Sequence, residues 1–180
     1  MKITSIECHK LLGATVDGGW PEGHEPEDDL HTLVEVHTDE GISGMGSVFT
    51  GSALTQAGVD FLKPFWDGAP ADQPERVSEL LRQSSFWQGR GGTVEHVISG
   101  IDIALWDLFG KVCNQPIKKL FGGVYRDKIK PYGSILFDQP DVLAQRLKET
   151  VARGFKAIKL GWRPFGRVSR AFDEELVRTA

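Results

Sequence analysis

The chain has 180 residues, 26% charged side chains and a formal net charge of −4. That length allows one or two domains with a sizeable core. Mild acidity, with a pI near 5.7, leaves no basic footprint and argues against nucleic acid or anionic membrane as a partner. No apolar run reaches membrane-spanning length, and MKITSIECHK lacks the apolar core of a signal peptide. Cys8 and Cys113 are too far apart for a CxxC pair, and two cysteines make no disulfide framework. A reducing, cytoplasmic location is the expectation.

Ile3 to Leu12 is enriched in β-branched residues and reads as a strand. Ala14 to Asp29 (ATVDGGWPEGHEPEDD) mixes glycine, proline and acids around Trp20, so it reads as a long loop. Leu30 to Thr38 and Ile42 to Phe49 read as strands. The turn at Asp39 to Gly41 joins them as a hairpin. Gly51 to Phe65 and Pro74 to Gln83 read as helices, the second with Val77, Leu80 and Leu81 on one face. GRGG, from Gly89 to Gly92, is a flexible connection. Three antiparallel strands followed by helices describe an α+β domain.

The central helix is expected from about Val94 to Cys113, roughly 30 Å long at 1.5 Å per residue. Val97, Ile101, Ala104, Leu105, Leu108 and Val112 fall at steps of three and four, the spacing of one helix face. Trp106, Phe109 and Cys113 form a second stripe, so most of its circumference is expected to be buried. Thr93 is the expected cap, and Glu95 suits the positive end of the dipole. Pro116 stops the helix and opens a short one that Gly122 or Gly123 closes. Asp102 and Asp107 lie inside the apolar run. Each needs a hydrogen-bond partner, because burying a bare carboxylate is costly.

Beyond Asp127 the grammar changes. Lys128 to Phe137 reads as a strand, Asp141 to Arg153 as a helix, Phe155 to Leu160 as a strand and Ser169 to Thr179 as a helix. This alternation implies parallel βαβ packing. The expected domains are residues 1–125 and 126–180. Other motifs fail. Gly44 and Gly46 begin GxGxxG, but Phe49 takes the third glycine position. No zinc spacing and no Gly-x-Ser-x-Gly elbow is present.

The order I-D-x-A-L-W-D-L-x-G-K followed by N-Q-P-I-x-x-L-F-G-G, from Ile101 to Gly123, resembles the signature helix of the mandelate racemase and muconate-lactonizing branch of the enolase superfamily. The resemblance implies a fold: an α+β capping domain, a three-stranded antiparallel sheet plus helices, followed by the start of a (β/α) barrel. A closed barrel needs about 250 residues, so the barrel is expected to be incomplete in this chain. The expected whole is the first part of a longer enzyme.

Parity on GFKAIKLGW puts Lys159 opposite Ile158 and Leu160. With those two toward the helices, Lys159 points into the barrel near the C-terminal end of its strand, where sites in this fold sit. The resemblance matches Lys159 to the first lysine of a K-x-K pair. Gly161 stands where the second lysine would be. Lys159 is thus the candidate catalytic residue, as a base or as a holder of the carboxylate. Ser134, on the first barrel strand, is a candidate pocket residue. The loop from Ala14 to Asp29 resembles the family's substrate-closing loop, with Trp20 and His24 as candidate contacts. Val48 to Ser52 matches a second specificity loop, with Thr50 as the candidate. Ser47 stands where the family often has glutamate.

The resemblance implies Mg²⁺ dependence, with ligands on later barrel strands outside these residues. It implies abstraction of a proton alpha to a carboxylate, with dehydration of an acid sugar as the first choice. Racemisation, cycloisomerisation or an inert fragment without the metal site are the alternatives. The expected partner is a small carboxylate, and the expected assembly a homo-oligomer.

Overall fold

The structure is a computed structural model that describes residues 1–12 and 29–180. The expected loop from Ala14 lies, apart from Asp29, outside the described residues, and Trp20 and His24 lie outside with it. The chain divides into two compact units between Tyr125 and Arg126.

The first unit opens with β1 (Ile3–Leu11), β2 (His31–Thr38) and β3 (Ser43–Val48), in the antiparallel order β1-β2-β3. Alternation along β2 buries Thr32, Val34, Val36 and Thr38 and turns the residues between them outward. The hairpin turns at Gly41, whose φ of 76° suits glycine. Helices α1 (Ser52–Trp66), α2 (Pro74–Ser85) and α3 (Thr93–Val112) follow, with a short 3₁₀ turn at Phe86–Gln88 before α3 and a one-turn α4 (Ile117–Leu120) after it.

Helix α3 is laid along the inner face of the sheet. Ile98, Ile101, Leu105 and Leu108 are fully buried, each stabilising by about 1.5–3 kcal/mol. Close approach is set by small residues on both elements. A Cβ on Gly44 would lie 2.0 Å from the Ala104 carbonyl oxygen, and one on Gly46 2.0 Å from that of Gly100. The glycines of β3 therefore serve helix–sheet packing.

Three expectations for these helices change. Thr93 is the first helical residue, not the cap; Gly92, at φ 76°, holds the cap position without a side-chain bond. Val112, the last residue of α3, is 39% exposed, and Leu80 is 41% exposed because the buried face of α2 runs through Val77, Ser78, Leu81 and Ser85 and leaves it to one side. Ser78 faces inward beside Val77 and Leu81. Its hydroxyl bonds the Asp102 carboxylate, so that acid ties α2 to α3. Asp107 accepts the Met45 backbone N–H at 2.9 Å and pairs with Lys111 Nζ at 2.8 Å. Both acids of the apolar run thus have partners.

The second unit holds β4 (Gly133–Leu136), α5 (Pro140–Ala152), β5 (Ile158–Gly161) and α6 (Arg170–Thr179). The two strands are parallel, with Gly133 opposite Ile158 and Leu136 opposite Gly161. Strand β4 is shorter than expected. Among the described residues no strand pairs with 128–132, Pro131 has no N–H to donate, and Ile129 is 85% exposed. Phe137, Leu143 and Leu176 form a small core with Ile135, Leu147, Leu160 and Phe172 around it. Ser169 caps α6 by accepting the Phe172 N–H at 3.1 Å. The architecture is thus an α+β domain with a three-stranded antiparallel sheet, followed by the first strand–helix units of a parallel barrel.

Candidate active site

The parallel ladder of β4 and β5 brings two of the expected site residues together. Ser134 is the register partner of Lys159. Their neighbours Ile135 and Leu160 pack toward α5 and α6, so alternation sends Ser134 and Lys159 to the opposite face. Both side chains are exposed, because two strands leave that face open. Lys159 Nζ lies 4.7 Å from the centre of the Trp162 ring, a cation–π distance.

The chain leaves β5 by an unusual route. Trp162 and Arg163 have φ of 57° and 56°, the left-handed region that bulky residues seldom occupy. This turn brings Arg163 Nη1 to 3.1 Å from Asp138 Oδ2, just past the end of β4, where Arg146 Nη1 also approaches to 3.2 Å. Phe137 and Phe165 stack beside them, with ring centroids 4.6 Å apart. The C-terminal ends of both strands are therefore tied by an ion-paired, aromatic corner. Sequence reasoning missed Asp138, Trp162 and Arg163. No spacing signals them, because positive φ at a tryptophan and an arginine is not legible in residue type.

Thr50 belongs to the first unit. Its hydroxyl donates to the Phe49 carbonyl at 2.8 Å and lies 2.8 Å from His96 Nδ1. A hydroxyl has one proton, so the second bond requires an Nδ1–H donor on His96. The Thr50 carbonyl accepts the Thr32 hydroxyl at 2.8 Å. Nearby, the Asp29 carboxylate accepts the Ser52 backbone N–H at 2.8 Å and the Ser52 hydroxyl. It holds the start of α1 as an N-terminal anion should. Among the described residues, the buried Asp29 Oδ1 has no hydrogen-bond partner.

A cleft of about 560 Å³ opens between α2 and the start of α3, lined by Arg82, Phe86, Arg90 and Glu95. The Arg82–Glu95 ion pair, at 3.0 Å, spans it. None of the described candidate residues lines it, so concavity and chemistry do not coincide in the first unit.

The N-terminal domain of mandelate racemase / muconate lactonizing enzyme matches residues 27–122, more than half of the chain. The chain belongs to the mandelate racemase / muconate lactonizing enzyme family. A D-galactonate dehydratase of Ralstonia pickettii (strain 12J) is 36% identical over 156 residues, which is 82% of this chain and 40% of that protein. A D-galactonate dehydratase of Verminephrobacter eiseniae (strain EF01-2) is 34% identical over the same shares. The crystal structure of the 3,6-anhydro-D-galactonate cycloisomerase from Zobellia galactanivorans superposes with a TM-score of 0.74 at 30% identity, covering 89% of this chain and 42% of that one. The chain spans about 40% of the length of these curated relatives.

The family match takes in β2 through α4, so two strands of the sheet and the helices of the first unit carry the membership, while β1, Ser134 and Lys159 lie outside it. Enolase-superfamily enzymes are Mg²⁺-dependent. Among the described residues of the second unit, no three carboxylate, imidazole or thiolate groups come close enough to share an ion. Asp138, the acid that follows β4, is held by two arginines. Residues 126–180 do not fit an Mg²⁺ cage. No described helix is long and apolar enough to cross a membrane.

Proposed function

We propose that this chain is the N-terminal part of an enzyme that removes the proton alpha to a carboxylate, and that it dehydrates an acid sugar. Residues 1–125 are the capping domain and residues 126–180 the first two strand–helix units of the barrel. The observation that carries the reading is the side-by-side register of Ser134 and Lys159 on the face of β4 and β5 away from the helices. In a parallel barrel that face is the interior, and the C-terminal ends of strands carry the chemistry. The D-galactonate dehydratase relatives support a polyhydroxy acid as substrate.

In the dehydration, a base takes the alpha proton and its electron pair passes into the carboxylate. The pair then returns to form a double bond between the alpha and beta carbons as the beta-carbon hydroxyl, protonated, leaves as water; the alpha hydroxyl is left as an enol, which becomes a 2-oxo acid. Lys159 serves as the base or as the cation that holds the carboxylate. Ser134 contributes a hydroxyl next to it. Trp20, His24 and Thr50 are proposed substrate contacts from the capping domain. Mg²⁺ is the proposed cofactor, with ligands on barrel strands other than β4 and β5. A homo-oligomer located in the cytoplasm is the proposed assembly.

The test is a screen of the full-length protein against a panel of acid sugars, with and without Mg²⁺, scoring the carbonyl of the 2-oxo product. Product from at least one acid sugar, dependent on Mg²⁺, is expected. Turnover without loss of water supports the second reading, racemisation or cycloisomerisation, which the 30% identical cycloisomerase favours. No turnover of any carboxylate by protein whose intact mass is near 19.9 kDa points to the inert fragment. For Trp20, substrate should change the intrinsic fluorescence of the wild type and much less that of Trp20→Phe.

A further inference from the structure

The outward face of the first unit's sheet carries a group that the catalytic reading does not use. Glu7 on β1 is the register partner of Glu35 on β2. Two carboxylates directly opposed across an antiparallel pair repel. His37, two residues along β2 from Glu35, shares that face, and so does His9 on β1. The side-chain atoms converge. Glu7, Glu35 and His37 each offer one ligand atom, and these three atoms lie within 4.8 Å of one another.

The spacing is wide enough for an ion to sit between the groups, and close enough that a protonated His37 would pair with both carboxylates directly. His37 Nε2 lies 3.5 Å from Glu7 Oε1 and 3.8 Å from Glu35 Oε2. Both distances exceed a hydrogen bond, and among the described residues the buried Nε2 has no hydrogen-bond partner. Ligands at 2.0–2.1 Å from a tetrahedral zinc stand roughly 3.4 Å apart. The two measured edges are within a few tenths of an ångström of that value.

The surroundings orient the ligands. Glu35 Oε1 accepts the Ser43 hydroxyl at 2.8 Å, and Glu35 Oε2 lies 3.0 Å from His9 Nε2. Hydrogen bonds of this kind hold ligating carboxylates in metal sites. All five residues project from paired strands, which fix side-chain direction better than loops do. The donor set also selects the ion. An imidazole with carboxylates suits zinc, whereas Mg²⁺ prefers oxygen ligands in octahedral array.

We infer that Glu7, Glu35 and His37 form a Zn²⁺ site on the outer face of the sheet, with Ser43 and His9 bracing Glu35. The ion would neutralise the opposed carboxylates and pin the edge strand β1 to β2. It is separate from the proposed catalytic chemistry and does not depend on it.

The experiment titrates metal-free full-length protein with Zn²⁺ by calorimetry, in excess Mg²⁺ to occupy Mg²⁺ sites elsewhere. One zinc equivalent per chain is expected, with a rise in Tm, since an ion that binds only the folded state stabilises it. His37→Asn and Glu7→Gln should each weaken binding more than tenfold and abolish the Tm rise. Ser43→Ala should weaken it by about tenfold. Co²⁺ in place of zinc should give tetrahedral visible absorption in the wild type and none in His37→Asn. Far-UV circular dichroism confirms that each variant is folded; the outward-facing positions predict that they are. Absence of zinc binding under excess Mg²⁺ overturns the site, and so does wild-type affinity in either ligand variant.

Discussion

Ser134 and Lys159 stand directly opposite each other across the parallel ladder of β4 and β5, on the face turned away from Leu143 and Leu176. The pairing puts a hydroxyl beside an ammonium at the second residue of each four-residue strand, two positions before the C-terminal end that the sequence led one to expect for Lys159. Trp162, folded back by its left-handed backbone, places its ring 4.7 Å from that ammonium. Lys159→Met keeps the stem and removes the charge. In the full-length enzyme it should lower kcat by about 10²–10⁴, the usual contribution of a general base, with Tm nearly unchanged. Lys156→Met, an exposed position before β5 begins, should leave activity near wild type. If Lys159 only holds the carboxylate, KM rises and kcat stays. Silence of Lys159→Met in both constants removes the strand from the site.

Gly46 tests the packing of the first unit. Alanine there puts a Cβ 2.0 Å from the Gly100 carbonyl oxygen, and backbone cannot swing aside as a side chain can. Overpacking of a core costs about 1–3 kcal/mol, and this contact should reach the upper end. Urea unfolding should show the midpoint of Gly46→Ala well below wild type, while Ser47→Ala, on the exposed face of β3, shifts it little. Equal midpoints would mean that α3 can lift from the sheet at no cost.

The bond between Ser78 and Asp102 joins α2 to α3. Ser78 is 2% exposed, so water cannot easily replace it as a donor. Ser78→Ala should destabilise by about 1 kcal/mol, the lower end of the cost of leaving a buried acceptor unsatisfied, because the Asp102 carboxylate is only partly buried. Asp102→Ala should cost less when made on top of Ser78→Ala than when made alone. Strictly additive effects in that double-mutant cycle would show that the two side chains do not act together.

Asp107 gives a pH prediction. Burial pushes its carboxyl up, but the Lys111 ammonium and the Met45 N–H together outweigh burial and leave its pKa below the usual value. A depressed folded pKa adds stability above the unfolded value, about 3.9 for aspartate, and that stability is lost as pH falls through the folded value. Asp107→Asn should therefore show a smaller fall in Tm than wild type between about pH 5 and about pH 3. The effect should be modest, since the side chain is 37% exposed and solvent screens it. A steeper acid limb in Asp107→Asn would contradict the assignment.

The local signals in the sequence determined most of the element list. Periodicity of two marks β1 to β3 because one face of each strand meets the core and the other does not, and periodicity near 3.6 marks α3 for the same reason. The run from Ile101 to Gly123 carries the family likeness, since a helix packed against a sheet and two other helices tolerates few substitutions. The need for partners at Asp102 and Asp107 was also legible, because desolvating a carboxylate has one sign wherever it occurs. Which partners they take was not. Ser78 is 24 residues from Asp102 and Met45 is 62 from Asp107, and only the packed fold brings them into reach. The same holds for the glycines of β3, which read as a broken nucleotide motif until Ala104 and Gly100 fill the space against them. Strand β4 begins at Gly133 because hydrogen bonding needs a partner, and the partner strand is four residues long. Tertiary structure alone decided the convergence of Glu7, Glu35 and His37. Their types and parity were in the sequence, but register across β1 and β2 sets which residues face each other, and a shift of one residue would have turned them into the core.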